Sequence, residues 1–273
     1  MSTATPSLGS AGRAGSRDGL RRAALAASAV LAVAGSAVGS GALGGTPIAQ
    51  AAGGALSASA TLVAPDGPAF AIWGVVYTGL LALAVWQLLP ARTHDARQRA
   101  TGWWVTASLL LNLAWVLTVQ AGWVAASVVV IAALLVVLVV AFGRLLAGRP
   151  AGPLEAVVVD GTVGLYLGWV GVATVADAAA ALKQAGLDAA EPAWAVAVLA
   201  LTGAVGVFTA VRSRGRLAPG AALTWGLAWV CAGRLSGPDA SSAAAAAAGA
   251  AAAVVAGTTA AVRLRVLSRA RRR

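Results

Sequence analysis

WVAASVVVIAALLVVLVVAFG, residues 123–143, holds no charged residue from end to end. A bilayer's hydrocarbon core takes about 20 apolar residues per helix, and this run has that length. Seven further runs of similar character lie at 23–43, 69–89, 101–119, 157–181, 193–211, 220–236 and 243–262. The tight turn at 120–122 joins the third and fourth runs as a helical hairpin. The whole chain of 273 residues is 59% hydrophobic and 11% charged, where a soluble domain carries about 25% charged residues. The expected fold class is therefore all-α: a polytopic membrane helix bundle of about eight transmembrane helices.

Orientation follows from the basic residues, which accumulate on the cytoplasmic side of membrane proteins. With the N-terminus inside and eight crossings, all of the 20 Lys and Arg except Lys183 and Arg234 fall in inside segments. The alternation holds at every loop, which supports both the helix count and an N-in, C-in topology. The net charge of +11 is thus an orientation signal, and no basic face with interleaved aromatics points to nucleic acid. The expected divisions are a disordered basic tail over 1–19, a five-helix membrane core over 20–190, three additional helices over 191–265 and a basic cytoplasmic tail over 266–273. Arg21 and Arg22 before an apolar run, with AQA at 49–51, also have the form of a signal peptide. That run exceeds the usual 7–15 residues of such a segment, so it is read as a retained helix.

Chemistry must come from few groups. The one cysteine, Cys231, allows no intrachain disulfide, and the one histidine, His94, sits in a charged loop. A zinc site would usually need more His or Cys, and no phosphate loop or Ser/His/Asp set is present, so no catalytic or metal residues are assigned. Within the spans stand Asn112, Asp160, Thr174, Asp177 and Arg234. Intramembrane charges are costly and often functional, although Asp160, Asp177 and Arg234 lie near span ends. Asp177 and Arg234 share a depth and are expected to pair. Asn112, near mid-span, should face another helix.

Of the ten tryptophans, Trp86, Trp103, Trp104, Trp123 and Trp194 lie at span ends and fit an aromatic belt. The inner ones form stripes at helical spacing. Phe70, Trp73 and Tyr77 share a face of the second span; Ser108, Asn112 and Trp115 share one of the third. Tyr166, Trp169, Ala173 and Asp177 share one of the fifth. Trp73, Tyr77, Asn112, Trp115 and Ala173 fall in the outer half and Trp169 near the midplane, under the long Gly/Ala/Ser/Pro-rich loop 44–68. Two readings stay open: ordinary aromatic packing, or a cavity for a flat amphipathic ligand.

IWGVVY (72–77), LLNLAW (110–115) with GW at 122–123, and YLGWVGVATVAD (166–177) resemble the tryptophan-rich sensory protein family, TspO/MBR, also called the translocator or peripheral benzodiazepine receptor family. Trp73 and Tyr77, Asn112 and Trp115, and Trp169 with Asp177 match the spacings and order of that family's motifs. The resemblance covers roughly residues 23–182. It implies a five-helix core and a membrane receptor or sensor in the bacterial plasma membrane. The implied ligand is a tetrapyrrole such as a porphyrin or haem, bound between the second, third and fifth helices by Trp73, Tyr77, Asn112, Trp115, Tyr166, Trp169, Ala173 and Asp177. No cofactor is required. Light-dependent porphyrin breakdown at Trp73 and Trp169 is a further implication for some bacterial relatives. Two departures stand out. Only Pro65 and Pro68 remain of the paired prolines before the second helix, and Asp177 replaces the family's Asn. No tyrosine follows Asp177, which makes a sterol ligand the weaker expectation. The expected partners are the lipid bilayer and the hydrophobic ligand, with a homodimer through Gly203, Gly206, Gly226 and Gly233 as a further option. The competing function is a small-solute transporter using Asp177 and Arg234.

Overall fold

The computed structural model describes residues 8–187, 191–237 and 239–272. Among these residues there is no strand. Eight long helices follow the apolar runs: α1 Leu8–Gly39, α2 Ile72–Leu88, α3 Ala96–Gln120, α4 Val124–Leu146, α5 Thr162–Gln184, α6 Glu191–Arg212, α7 Leu217–Arg234 and α8 Ser242–Arg271. Seven of them are long and apolar enough to cross a membrane. The exception is α7, whose 18 residues include Pro219, three glycines at Gly220, Gly226 and Gly233, Arg234, and little aliphatic bulk. At 1.5 Å per residue it still reaches about 27 Å, and it packs between α5, α6 and α8.

Short polar signals start these helices. Asp95 caps α3, its carboxylate accepting from the backbone N–H groups of Arg97 and Gln98. Ser241 caps α8 by accepting from Ala244 N–H. Asp66 caps the 3-10 turn Gly67–Ala71, with Pro68 in its first turn, and that turn runs directly into α2. Each such cap is worth about 1 kcal/mol. Between α3 and α4 the chain reverses at Gly122, whose φ of +77° suits a residue without Cβ.

The first five helices close a ring in the order α1, α2, α5, α4, α3, each packed on the next. Helices α6, α7 and α8 form a second group that docks onto α5 through α7. Small residues make both junctions close. A Cβ placed on Gly226 of α7 would lie 2.7 Å from Val172 Cγ2 of α5. The alanine run of α8 buries Ala244, Ala248 and Ala251 against its neighbours, with Gly203 of α6 over Ala251. In a membrane, such small-residue contacts let backbones approach and gain dispersion energy. Gly203, Gly206, Gly226 and Gly233 are all taken up this way, against Ala251, Val255, Val172 and Asp66 of the same chain. They therefore offer no free face for a homodimer.

One end of the bundle collects the charged groups. Arg97 of α3 lies 2.5 Å from Glu155 and 2.8 Å from Asp160, in the turns preceding α5, and Arg216 beside α7 also pairs with Asp160. Asp160 sits in a π-turn, Ala156–Gly161. Arg99 Nε lies 3.0 Å from both carboxylate oxygens of Asp18. Arg21 donates to Gln87 Oε1 and to the carbonyl of Gln98. These contacts correct the expectation of a disordered tail over 1–19. Residues 8–19 are the first turns of α1, and Asp18 and Arg21 are 5% and 2% exposed. A basic, serine-rich sequence reads as tail, yet Asp18 within it pairs with Arg99 of α3, and Arg21 just beyond it reaches Gln87 of α2 and Gln98 of α3. Residues 1–7 of that tail lie outside the described residues. At the other terminus the basic stretch continues α8 as helix to Arg271.

Candidate functional site

The aromatic stripes meet inside the ring. Trp73 and Tyr77, one turn apart on α2, stack with centroids 5.2 Å apart. Trp73 stands edge-on to Tyr166 at 6.0 Å and to Trp169 at 6.2 Å, and Phe70 stands edge-on to Trp169 at 5.7 Å. Offset or edge-on pairs of this kind add about 0.5–1.5 kcal/mol each beyond area burial. The cluster therefore holds α2 against α5.

Polar groups tie the stripes together. Asn112 Nδ2 donates to the Tyr77 hydroxyl at 2.7 Å, so mid-span Asn112 does face another helix. Its Oδ1 is buried without a partner. Tyr77→Phe removes that acceptor and leaves an amide donor stranded. The expected cost is about 1–3 kcal/mol of stability, measured by thermal unfolding in detergent; no change would place Asn112 on another acceptor. Tyr166 is fully buried and donates to the carbonyl of Ser108 at 3.2 Å. Asp177 accepts from Trp115 Nε1 at 3.2 Å and from Ser127 Oγ at 2.9 and 3.0 Å.

The expected Asp177–Arg234 pair does not form. Asp177 looks into the ring, toward α3 and α4. Helix α7 lies on the opposite, glycine-lined face of α5, where Gly164 and Gly168 meet Pro219. Arg234 instead donates to the carbonyls of Ala58 and Asp239.

Two adjoining cavities lie beneath the 44–68 loop. The larger, about 340 Å³, opens between α1, α2 and α3 and is walled by Phe70, Trp73, Tyr77, Trp115 and Ile48. The smaller, about 30 Å³, sits toward α5 and reaches Trp115, Trp169, Ala173 and Asp177. Phe70, Trp115 and Ile48 line both. Six of the eight expected residues thus reach a cavity wall. Tyr166 and Asn112 do not: Tyr166 backs Trp73, and Asn112 holds Tyr77. Phe70, which shares the helix face of Trp73 and Tyr77, is a wall residue of both cavities. The contribution of α1, through Ser36 and Gly39, and of Ile48 and Ala58 in the loop carried no sequence signal, because Ala, Gly and Ser fill this chain everywhere.

A third hollow of about 250 Å³ lies between α4, α5, α6 and α7. Its polar side chains are threonines, and Thr174, Thr202 and Thr209 each donate to a carbonyl of their own helix. It presents hydrocarbon alone. The smaller cavity under the loop differs in having at its wall the Asp177 carboxylate and Trp169, whose buried Nε1 has no partner; Asn112 Oδ1, behind Tyr77, is also buried without one. Buried polar atoms in native proteins are nearly always satisfied, so these are places for a bound water or ligand to engage. Among the described residues no group of His, Cys, Asp and Glu could hold a metal ion.

Residues 25–261 match the family model described as TSPO-like protein. The match runs from α1 into α8 and so includes the C-terminal helices. No curated protein and no solved structure matches the chain.

Proposed function

Because the chain belongs to the TSPO-like protein family and is an integral membrane protein of at least seven apolar helices, we propose that it is a membrane receptor for a planar hydrophobic ligand of the tetrapyrrole class. The observation that carries this reading is the 340 Å³ cavity with Phe70, Trp73, Tyr77 and Trp115 on its walls. Its size falls within the roughly 300–1,000 Å³ of small-molecule sites. Flat aromatic walls match a flat conjugated ring by stacking and area burial. No basic side chain lines either cavity, so a porphyrin would bury its macrocycle and direct its carboxylates past Ser40 and Gly67 to the outer rim.

The transporter reading has less support. It draws on Asp177 and Arg234, and these do not meet: Asp177 is held by Trp115 and Ser127, and Arg234 by backbone carbonyls.

Titrating purified protein with protoporphyrin should produce saturable quenching of tryptophan fluorescence. Phe70→Ala with Trp73→Ala should weaken binding at least tenfold, about 1.4 kcal/mol. Non-saturable quenching, or equal affinity in the double variant, would sink the proposal.

A further inference from the structure

We propose that two of the C-terminal helices, α6 and α7, are the anchor of the cavity roof, with Arg234 and Glu191 as its positioning residues. This deepens the receptor reading, but the contacts that carry it involve no ligand.

The roof is the segment from Ala58 to Ala69, and it contributes Ala58, Ala60, Thr61, Ala64, Pro65 and Gly67 to the two cavities. Gly, Ala, Ser and Pro give such a segment little apolar surface with which to hold itself in place. Its fixed points come from α6 and α7. Arg234 Nη2 donates to the Ala58 carbonyl at 2.5 Å. Leu62 N–H donates to Glu191 Oε1 at 3.1 Å. Asp66 N–H donates to the Trp229 carbonyl at 3.3 Å, and Trp225 Nε1 donates to the Ala69 carbonyl at 2.9 Å. Val63 is buried in the apolar core of the C-terminal group and not in that of the ring. The roof is thus bound at four places to helices that supply no cavity wall.

Arg234 is the telling residue. It is 3% exposed and has no carboxylate partner among the described residues; it spends its guanidinium on two carbonyls, one of them in the roof. Burying an arginine with no carboxylate partner is costly. The geometry makes sense if the function lies in the roof carbonyl it holds. Local segments with few anchors open at low free energy, so removing an anchor should raise the open population without disturbing the ring.

The test places a thiol under the roof: Ala173→Cys, at the wall of the smaller cavity, in a Cys231→Ser background. A membrane-impermeant maleimide should label it slowly. Adding Arg234→Ala or, on a different helix, Glu191→Ala should raise the labelling rate at least tenfold, with Arg234→Lys intermediate. Unchanged labelling in both alanine variants, with hydrogen exchange of 58–69 also unchanged, would overturn the anchor. Faster labelling everywhere, including a thiol placed at buried Leu138 of α4, would mean general unfolding and would overturn it too. If the parent does not bind protoporphyrin, the ligand reading fails, while the labelling rates still decide the anchor.

Discussion

Arg97→Ala should be the most destabilising single substitution at the charged end of the bundle, costing about 3–5 kcal/mol. Among the described residues Arg97 is the one side chain that bridges Glu155 and Asp160, and it also donates to the carbonyl of Leu145 at the end of α4. Those two carboxylates are 1% and 3% exposed. Without the guanidinium, Glu155 keeps only Arg92 at 3.7 Å and the backbone N–H of Ala151, while Asp160 keeps Arg216. The loss is thus of an ion already desolvated, and the penalty comes mostly from what remains. Replacing the whole triad tests this. Arg97→Met with Glu155→Leu and Asp160→Leu should recover most of the lost stability, since both deeply buried carboxylates go with it, Arg92 keeps Asp95 at 3.5 Å, and Arg216 is a quarter exposed and can turn to solvent. Thermal unfolding in detergent reads both effects. Equal destabilisation by the single and the triple variant would show that the side chains matter for shape and not for charge.

Gly168→Val should separate the two halves of the molecule. A Cβ on Gly168 would collide with the carbonyl oxygen of Pro219 and lie 2.9 Å from Ala222 Cβ. Backbone cannot yield as a flexible side chain can, so α7 must move off α5, at about 1–3 kcal/mol. The ring should survive, because its own contacts run through other faces of α5. The roof should loosen with α7. Hydrogen exchange should therefore speed up in 58–69 and in α6 to α8 while α3 and α4 keep their protection. Gly171→Ala, one turn away, is the control. Its Cβ would meet only Leu223 Cδ2 at 3.7 Å, an ordinary contact, and it should behave as wild type. Slower exchange nowhere and faster exchange only in the ring would contradict the two-part architecture.

Much of this protein is legible from one dimension. Residues 123–143 announce a membrane span because hydrocarbon thickness sets a length that only helices meet. The placement of arginines announces the topology, and the structure collects Arg21, Arg97, Arg99 and Arg216 at one end accordingly. Periodicity puts Trp73 with Tyr77 and Trp169 with Ala173, because residues three or four apart share a helix face whatever the fold.

What sits opposite each face was decided only in three dimensions. Depth along the membrane can be counted from the sequence, but rotation of one helix against another cannot. Asp177 and Arg234 share a depth and still point apart, since glycines on the far face of α5 draw α7 to that side. The residues at 8–19 read as tail by composition, yet they are helix, and the turn at Asp18 to Arg22 is fixed by an ion pair to α3 and hydrogen bonds to α2 and α3. The roof is the clearest case. A stretch of Gly, Ala, Ser and Pro carries no pattern of its own, and its position comes from single hydrogen bonds to Arg234, Glu191, Trp225 and Trp229. The helices, their direction and their aromatic faces were set by local chemistry; the cavity exists because distant segments, without any shared sequence signal, close over it.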